Sequence, residues 1–266
     1  MRALIFAAGL GTRLKPLTDT VPKALVPVGG QPLLYHVLQK LKAAGVREIT
    51  VNVHHFADEI IGYLAGRPVD GVTVTVSDER DLLRETGGGI RFAEPLLKPS
   101  GGHFLVHNVD ILSNLDLRWF GSQAPADALA ALAVSDRRTQ RYFLFREESP
   151  SSGAFCCADA RSGAPEPALR LVGWTNVATG EVRTPFADLD VAACRKLAFS
   201  GIHLISDRIF EVFRTTGAPE RFSITDFYLR VCADHPIYGI VPPDFRMIDV
   251  GKPEALREAE KFLNGD

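Results

Sequence analysis

Through the first 110 residues, short, continuously apolar runs alternate with amphipathic stretches, and that alternation is what most constrains the fold. Residues 2–8 read as a buried strand, because a short run that is apolar on both faces suits a sheet covered on both sides. A helix opens at Pro32, a residue suited to a first helical position. It carries Leu33, Val37, Leu38 and Leu41 on one face to about Ala44, where Gly45 stops it. There follow a strand over 46–53, a helix over 57–64, a strand over 72–76, a helix from Glu85 toward Leu97, and a strand over 103–107. This order needs crossover connections and predicts a parallel sheet with helices on both faces. Ligands of such sheets sit beyond the carboxyl ends of the strands, where the glycine loop after residue 8 and Asp110 both fall.

The second half is less regular. Strands are expected over 127–134, 141–146, in pieces of 169–182, over 197–205, 237–241 and 245–250. Helices are expected over 207–213 and 223–233, with a terminal helix from Pro253. Residues 149–167 are rich in Ser, Gly, Pro and Ala and read as a hairpin plus a loop. Ser200-Gly201 interrupts a strand, where a glycine often marks the close approach of a ligand. The 266 residues hold no repeat, linker or low-complexity tract, so one domain is expected over 1–266.

Composition excludes several classes. A formal net charge of −2 supplies no general attraction to nucleic acid or an anionic membrane, so any phosphate-binding charge must be local. The four cysteines, at 156, 157, 194 and 232, form no C-x-x-C pair and no metal-ligand spacing, so reduced thiols are expected. The N-terminal apolar run is too short for a signal peptide, and no stretch is long enough to span a bilayer. A cytoplasmic enzyme, monomeric or a small homo-oligomer, is the expectation.

The strand over 2–8 delivers Ala8-Gly9-Leu10-Gly11-Thr12-Arg13. Gly9 and Gly11 let backbone approach a ligand closely, and successive N–H groups in such a loop form an anion-binding concavity. Arg13 and Lys23 add local positive charge. The loop lacks both the G-x-G-x-x-G spacing of the dinucleotide fold and the G-K-[ST] of a P-loop.

Residues 7–18, then Pro22-Lys23-Ala24-Leu25-Val26-Pro27-Val28 and Gly30-Gln31-Pro32-Leu33, resemble the signature of the sugar-1-phosphate nucleotidyltransferases. The resemblance extends through Glu85-Thr86-Gly87-Gly88-Gly89, Asp110, Phe199-Ser200-Gly201-Ile202 and 248–254, nearly the whole chain. It implies a Rossmann-like mixed, mainly parallel α/β sheet with helices on both faces and an inserted sugar-binding β region. It also implies transfer of NMP from an NTP to a sugar 1-phosphate, with pyrophosphate leaving and Mg²⁺ assisting. Residues 1–135 would then be mainly nucleotide-binding, 136–245 mainly sugar-binding, and 246–266 would supply an aspartate and a closing helix.

Arg13 and Lys23 are the implied catalytic cations, a planar fork and a compact point charge for phosphate oxygens. Ala8, Gly9, Gly11, Thr12, Thr86, Gly88 and Asn108 are the implied nucleotide contacts, and Gly201 lines the sugar pocket. Asp110 and Asp249 are the implied Mg²⁺ ligands, each near a strand end, and a pair of carboxylates suits an octahedral ion that also takes phosphate oxygens and water. For Asp249 a helix N-cap is the competing role. Asp188 and Asp226 could face the sugar but read better as turn or cap residues. His54-His55, His107 and Cys156-Cys157 read as loop or packing residues.

Two departures stand out. The residue before Asp110 is Val109, bulkier than the small residue common there. The Glu-Lys-Pro motif whose lysine contacts the sugar phosphate is absent, leaving Lys196, Arg170 or Arg195 as replacements. The triple glycine and the short chain are most similar to the N-acetylmuramate α-1-phosphate uridylyltransferase branch, which implies UTP as donor. The mannose-1-phosphate guanylyltransferase branch, with GTP, is the near alternative, and a silent nucleotide-sugar sensor or regulatory subunit is the alternative of another class. No acyltransferase β-helix or regulatory domain is expected.

Overall fold

The computed structural model describes residues 1–98, 102–148 and 168–265, so the hairpin expected over 149–167 and the Cys156-Cys157 pair lie outside the described residues. Strands and helices alternate through the first half: β1 (Arg2–Phe6), a two-strand flap β2 (Pro27–Val28) and β3 (Gln31–Pro32), α1 (Leu33–Ala43), β4 (Glu48–Val53), α2 (Ala57–Gly66), β5 (Thr73–Asp78), α3 (Glu85–Phe92), α4 (Glu94–Leu97), β6 (His103–Asn108) and β7 (Ile111–Ser113). The second half continues with α5 (Leu117–Ser122), β8 (Ala130–Ser135), β9 (Arg141–Glu148), β10 (Ala168–Asn176), β11 (Glu181–Arg183), β12 (Arg195–Ser206), α6 (Ile209–Thr215), α7 (Ile224–Val231), β13 (Ile237–Ile240), β14 (Met247–Asp249) and α8 (Glu254–Asn264).

One sheet runs through both halves in the order β11-β10-β13-β8-β12-β6-β1-β4-β5, with β9 pairing β10 and β12. The pairs β1–β4, β1–β6 and β4–β5 are parallel, as crossover helices require. Beyond β6 the pairing turns mostly antiparallel: β12 runs against β6, β8 and β9, and β10 against β9, β11 and β13. The parallel character is thus confined largely to the first half.

Alternation along each central strand splits the core between the two faces. Ala3 and Ile5 of β1 and Leu105 of β6 join α1, through Leu33, Leu34, Val37, Leu38 and Leu41, on one side. Leu4, Phe104 and Val106 join Phe210 and Phe213 of α6 and Phe227 and Tyr228 of α7 on the other. These strands are apolar throughout because both faces are covered. Full burial of each large apolar side chain stabilises the fold by about 1.5–3 kcal/mol.

Two expected boundaries move for local reasons. The helix expected from Glu85 toward Leu97 divides at Ala93, and the second piece has Pro95, without an N–H, in its first turn. The strand expected over 197–205 is one long β12 with its register shifted between Phe199 and His203; Gly201 has φ +77° there, a left-handed backbone that favours glycine.

Candidate active site

β1 ends at Phe6 and delivers Ala7 and Ala8 into a loop held open by a residue from the next strand. Asn52, near the end of β4, accepts hydrogen bonds at Oδ1 from the N–H groups of Ala7 (2.7 Å) and Ala8 (3.2 Å). Its Nδ2 donates to Glu79 Oε1 at 2.8 Å, which fixes the amide orientation. At Gly11 φ is +63°, and an added Cβ would lie 2.9 Å from the Thr18 methyl. Thr18 Oγ1 donates to the Gly11 carbonyl at 2.8 Å, folding the loop back on itself. Around Gly9 the space is open. Short 3₁₀ turns at Thr12–Leu14, Leu17–Asp19 and Lys23–Leu25 carry the chain to α1.

The third of those turns carries Lys23, whose Nζ donates to Asp110 Oδ2, with both side chains about seven-eighths buried. Asp110 lies two residues past the end of β6. β7 begins at the next residue and pairs antiparallel with β14, setting Ile111 opposite Asp249, and the Val250 N–H donates to the Asp110 carbonyl at 2.8 Å. That small ribbon brings the two distant aspartates side by side. Burial holds the Asp249 carboxyl above the usual carboxylate range, and the neighbouring Asp110 charge adds to this against Arg13 and Lys23. Arg13 Nη1 lies 3.8 Å from Asp249 Oδ2. A Cβ at Gly251 would come within 2.7 Å of both Arg13 Nη2 and Asp249 Oδ1, so glycine gives the guanidinium room. Asp249 is not a helix cap: Pro253 holds that position on α8.

The donor set discriminates among metals. Among the described residues no group of three or more His, Cys, Asp and Glu side chains could hold an ion. Two crowded carboxylates, one with a raised pKa, fit a hard dication that takes its remaining ligands from phosphate and water, as Mg²⁺ does, and not an all-protein cage.

A cavity of about 410 Å³ opens between the loop and α3. Its walls include Ala8, Gly9, Lys23, Thr86, Asn108 and Asp110, together with Val109, Asn52 and Glu79. Arg13, Gly11, Thr12, Asp249, Gly88 and Gly201 do not line it. Sequence reasoning missed Asn52 and Glu79; the one signal was a polar residue inside the apolar run Val51-Asn52-Val53. Glu79 is fully buried, and its Oε2 has no partner among the described residues. Burial pushes its pKa up, opposed by the hydrogen bond from Asn52 and by the nearby Arg84 and His54 charges. His107 is wholly buried in the sheet, its Nδ1 against the Asn108 carbonyl, and takes no part in the cavity.

The triple glycine of α3 serves packing. A Cβ at Gly87 would strike the Phe222 ring, one at Gly88 the Glu220 carbonyl, and one at Gly89 would lie 3.0 Å from Glu79 Oε1. The close approach read from the sequence is therefore to the segment before α7, which Gly87 N–H also binds through the Phe222 carbonyl at 2.8 Å. Gly88 faces a groove on the outer side of α3 instead of the cavity. Thr86 does line the cavity, and its Oγ1 accepts from the Ile224 N–H at 2.9 Å.

A second cavity, about 620 Å³, shares Ser223 with the first. Arg137, Arg141, Arg183, Trp174 and Phe199 form much of its wall, with Asp226. Gly201 does not line it either. An added Cβ there would lie 2.5 Å from Asn108 Nδ2, so the glycine makes room for Asn108, a residue of the first cavity's wall. The cations expected from the sequence stand elsewhere: Arg170 donates to the Cys232 carbonyl and Arg195 pairs with Glu147, and neither they nor Lys196 line either cavity. Asp188 is exposed and lines neither.

Residues 2–143 match the family model described as Nucleotidyl transferase. Over 98% of this chain and 96% of the relative, the sequence is 33% identical to an N-acetylmuramate alpha-1-phosphate uridylyltransferase of Caulobacter vibrioides. It is 35% identical to a probable mannose-1-phosphate guanylyltransferase 1 of Oryza sativa subsp. japonica, over 95% of this chain but 62% of that one. Among solved structures, HddC from Yersinia pseudotuberculosis complexed with GMP-PN superposes with a TM-score of 0.69 at 22% identity, covering 98% of this chain and 99% of that one. A UDP-glucose pyrophosphorylase complexed with UDP-glucose gives 0.69 at 17% identity, covering 99% and 98%. At those identities the likeness shows the shared fold.

Proposed function

This chain belongs to the nucleotidyl transferase family and is a sugar-1-phosphate nucleotidyltransferase, and we propose that its donor is UTP, its acceptor N-acetylmuramate α-1-phosphate, and its metal Mg²⁺ at Asp110 and Asp249. The observation that carries the reading is the convergence of Lys23, Asp110, Asp249 and Arg13 beside a cavity walled by the glycine loop. In the reaction a phosphate oxygen of the acceptor forms a bond to the donor α-phosphorus, and the bond from that phosphorus to the pyrophosphate oxygen breaks. Charge builds on the non-bridging oxygens and on the leaving group, so catalysis is positioning plus electrostatics. The loop N–H groups of Gly9, Gly11 and Thr12 cradle the leaving phosphates, and Arg13 offers them a fork. Lys23, held beside the cavity by its pairing with Asp110, would neutralise an α-phosphate oxygen. Bound Mg²⁺ would supply further charge neutralisation between the two aspartates and the phosphates.

The base contact rests on Glu79. Its Oε1 is engaged by Asn52, and its buried Oε2 has no hydrogen-bond partner among the described residues. One acceptor suits the one imide N–H of uracil, whereas the corresponding edge of guanine offers two donors. The sensor reading is not supported, since the relatives are enzymes by name. We assign residues 1–135 mainly to the nucleotide, 136–245 mainly to the sugar, and 246–266 to the second aspartate and closing helix. No described helix is long and apolar enough to cross a membrane.

The test is a matrix of the four NTPs against sugar 1-phosphates with Mg²⁺, read by pyrophosphate release. UTP with N-acetylmuramate α-1-phosphate is expected to give the highest kcat/KM. A strong preference for GTP with mannose 1-phosphate would overturn the donor and acceptor named here and leave the reaction class standing.

A further inference from the structure

The second cavity is built by the pleat of the sheet. Alternate residues share a face of a strand. Arg141 and Phe143 of β9, Trp174 and Asn176 of β10, and Glu181 and Arg183 of β11 sit at matched register: Arg141 opposite Asn176, Phe143 opposite Trp174, and Trp174 opposite Arg183. All six line the cavity. The Arg183 guanidinium lies 4.1 Å from the centroid of the Trp174 ring and is held by Asp226 at 2.8 Å and Glu181 at 3.6 Å. Its charge is therefore satisfied, and it braces the indole as a flat wall.

The other two arginines have no carboxylate partner among the described residues. Arg137 spends one N–H on the Phe199 carbonyl at 3.2 Å, which aims it, and has no carboxylate partner among the described residues. Arg141 has neither an ion pair nor a side-chain hydrogen bond among them. The turn between the two is fixed by the Thr139 N–H donating to the Tyr142 hydroxyl at 2.9 Å. Two guanidinium groups without a carboxylate partner among the described residues thus flank an aromatic wall, in a cavity that shares Ser223 with the first cavity.

We infer that the acceptor is an acidic sugar 1-phosphate, and that Arg137 and Arg141 hold a carboxylate on the sugar while Trp174 stacks on its apolar face. The inference rests on the nucleotidyl-transfer reading and deepens it by giving the acceptor's second negative charge a place. The 1-phosphate itself belongs beside Lys23 and the aspartates, in the other cavity. Guanidinium forks match carboxylate geometry, and charge-assisted hydrogen bonds of this kind discriminate against an acceptor that lacks the acid.

The test compares the wild type with Arg137→Gln, Arg141→Gln and the double variant. UTP is the donor, and the acceptors are N-acetylmuramate α-1-phosphate, its lactamide, and N-acetylglucosamine α-1-phosphate. Both arginines are exposed, so the variants are expected to fold, and melting curves check this. The wild type should favour the acid over the amide by about 10- to 100-fold in kcat/KM, carried mainly by KM. The double variant should lose that preference by weakening the acid alone. If the variants weaken all three acceptors equally, the arginines hold the phosphate and the inference is wrong. A wild type indifferent to the carboxylate also overturns it, with nucleotidyl transfer intact. No nucleotide sugar from any of the three acceptors overturns the donor and acceptor assignment, and this inference with it, and leaves the reaction class standing.

Discussion

Asp110 is the residue on which the site turns. It takes Lys23 on one oxygen and stands beside Asp249, whose own charge is disfavoured by burial and by Asp110. A dication would relieve that crowding, while without one Lys23 is the nearest compensation. Asn108, two residues earlier, depends on a different neighbour. Gly201 must be glycine twice over, for its φ of +77° and for the 2.5 Å that an added Cβ would leave to Asn108 Nδ2. Gly201→Ala is therefore expected to cost about 1–3 kcal/mol of stability and to displace Asn108 into the nucleotide cavity. Thermal melts and UTP titration check this: the variant should melt several degrees lower and show a raised KM for UTP. An unchanged KM would detach Asn108 from the nucleotide.

Among the elements, α3 lines the first cavity and packs against the segment whose Ser223 lines both. Its first turn gives Thr86 to the nucleotide side, and its glycines let the segment over 218–224 lie against it before α7 begins at Ile224. Ser223, the N-cap of α7, lines both cavities. Gly88→Ala would drive a methyl into the Glu220 carbonyl, so the segment must move. The expected result is a loss of about 1–3 kcal/mol, as for other overpacked sites, together with raised KM values for both substrates. A variant with reduced stability and unaltered KM values would show that α3 does not position Ser223.

This element also marks what the sequence could and could not reveal. The glycine loop, Lys23 and Asp110 were legible because contiguous residues carry their own chemistry. The place of Asp249 beside Asp110 was legible only through its motif, since nothing local sets it apart from a helix cap. The triple glycine invited a ligand reading, whereas its neighbours are Phe222, Glu220 and Glu79, placed by a segment 130 or more residues away for the first two. The arginine cavity was not legible at all. Arg141, Trp174 and Arg183 share a face only once the register of three strands is known. Glu79 stayed hidden because a buried carboxylate looks like any other acid until its partner Asn52 is in place.

Across the whole molecule one sheet supports both cavities, and its centre buries polar groups. His203 on β12 accepts or donates at Nδ1 against the Tyr228 hydroxyl at 2.7 Å, and both residues are fully buried. Burial lowers the His203 pKa to about 3 and that of His107 to about 4, from an ordinary 6.5. The unfolded chain therefore takes up protons near pH 6.5 while the folded chain does not. The stabilisation is complete above that pH and is lost as the pH falls toward 4, by about 2–3 kcal/mol per histidine. The raised carboxyls of Glu79 and Asp249 act in the opposite sense, losing stability as the pH rises past the usual carboxylate range. Comparison with His203→Gln isolates the histidine contribution. Urea midpoints of the wild type should fall more steeply than those of the variant between pH 7 and 4.5, and parallel slopes would contradict a neutral buried His203.

The role proposed for Asp110, charge beside the transferred phosphorus, is checked by Asp110→Asn, which keeps the size of the side chain and removes its charge. Pyrophosphate release is measured at saturating UTP, acceptor and Mg²⁺, with melting curves alongside. With the fold retained, kcat is expected to fall by about 10²-fold or more. Release by a folded variant at the wild-type rate would contradict it.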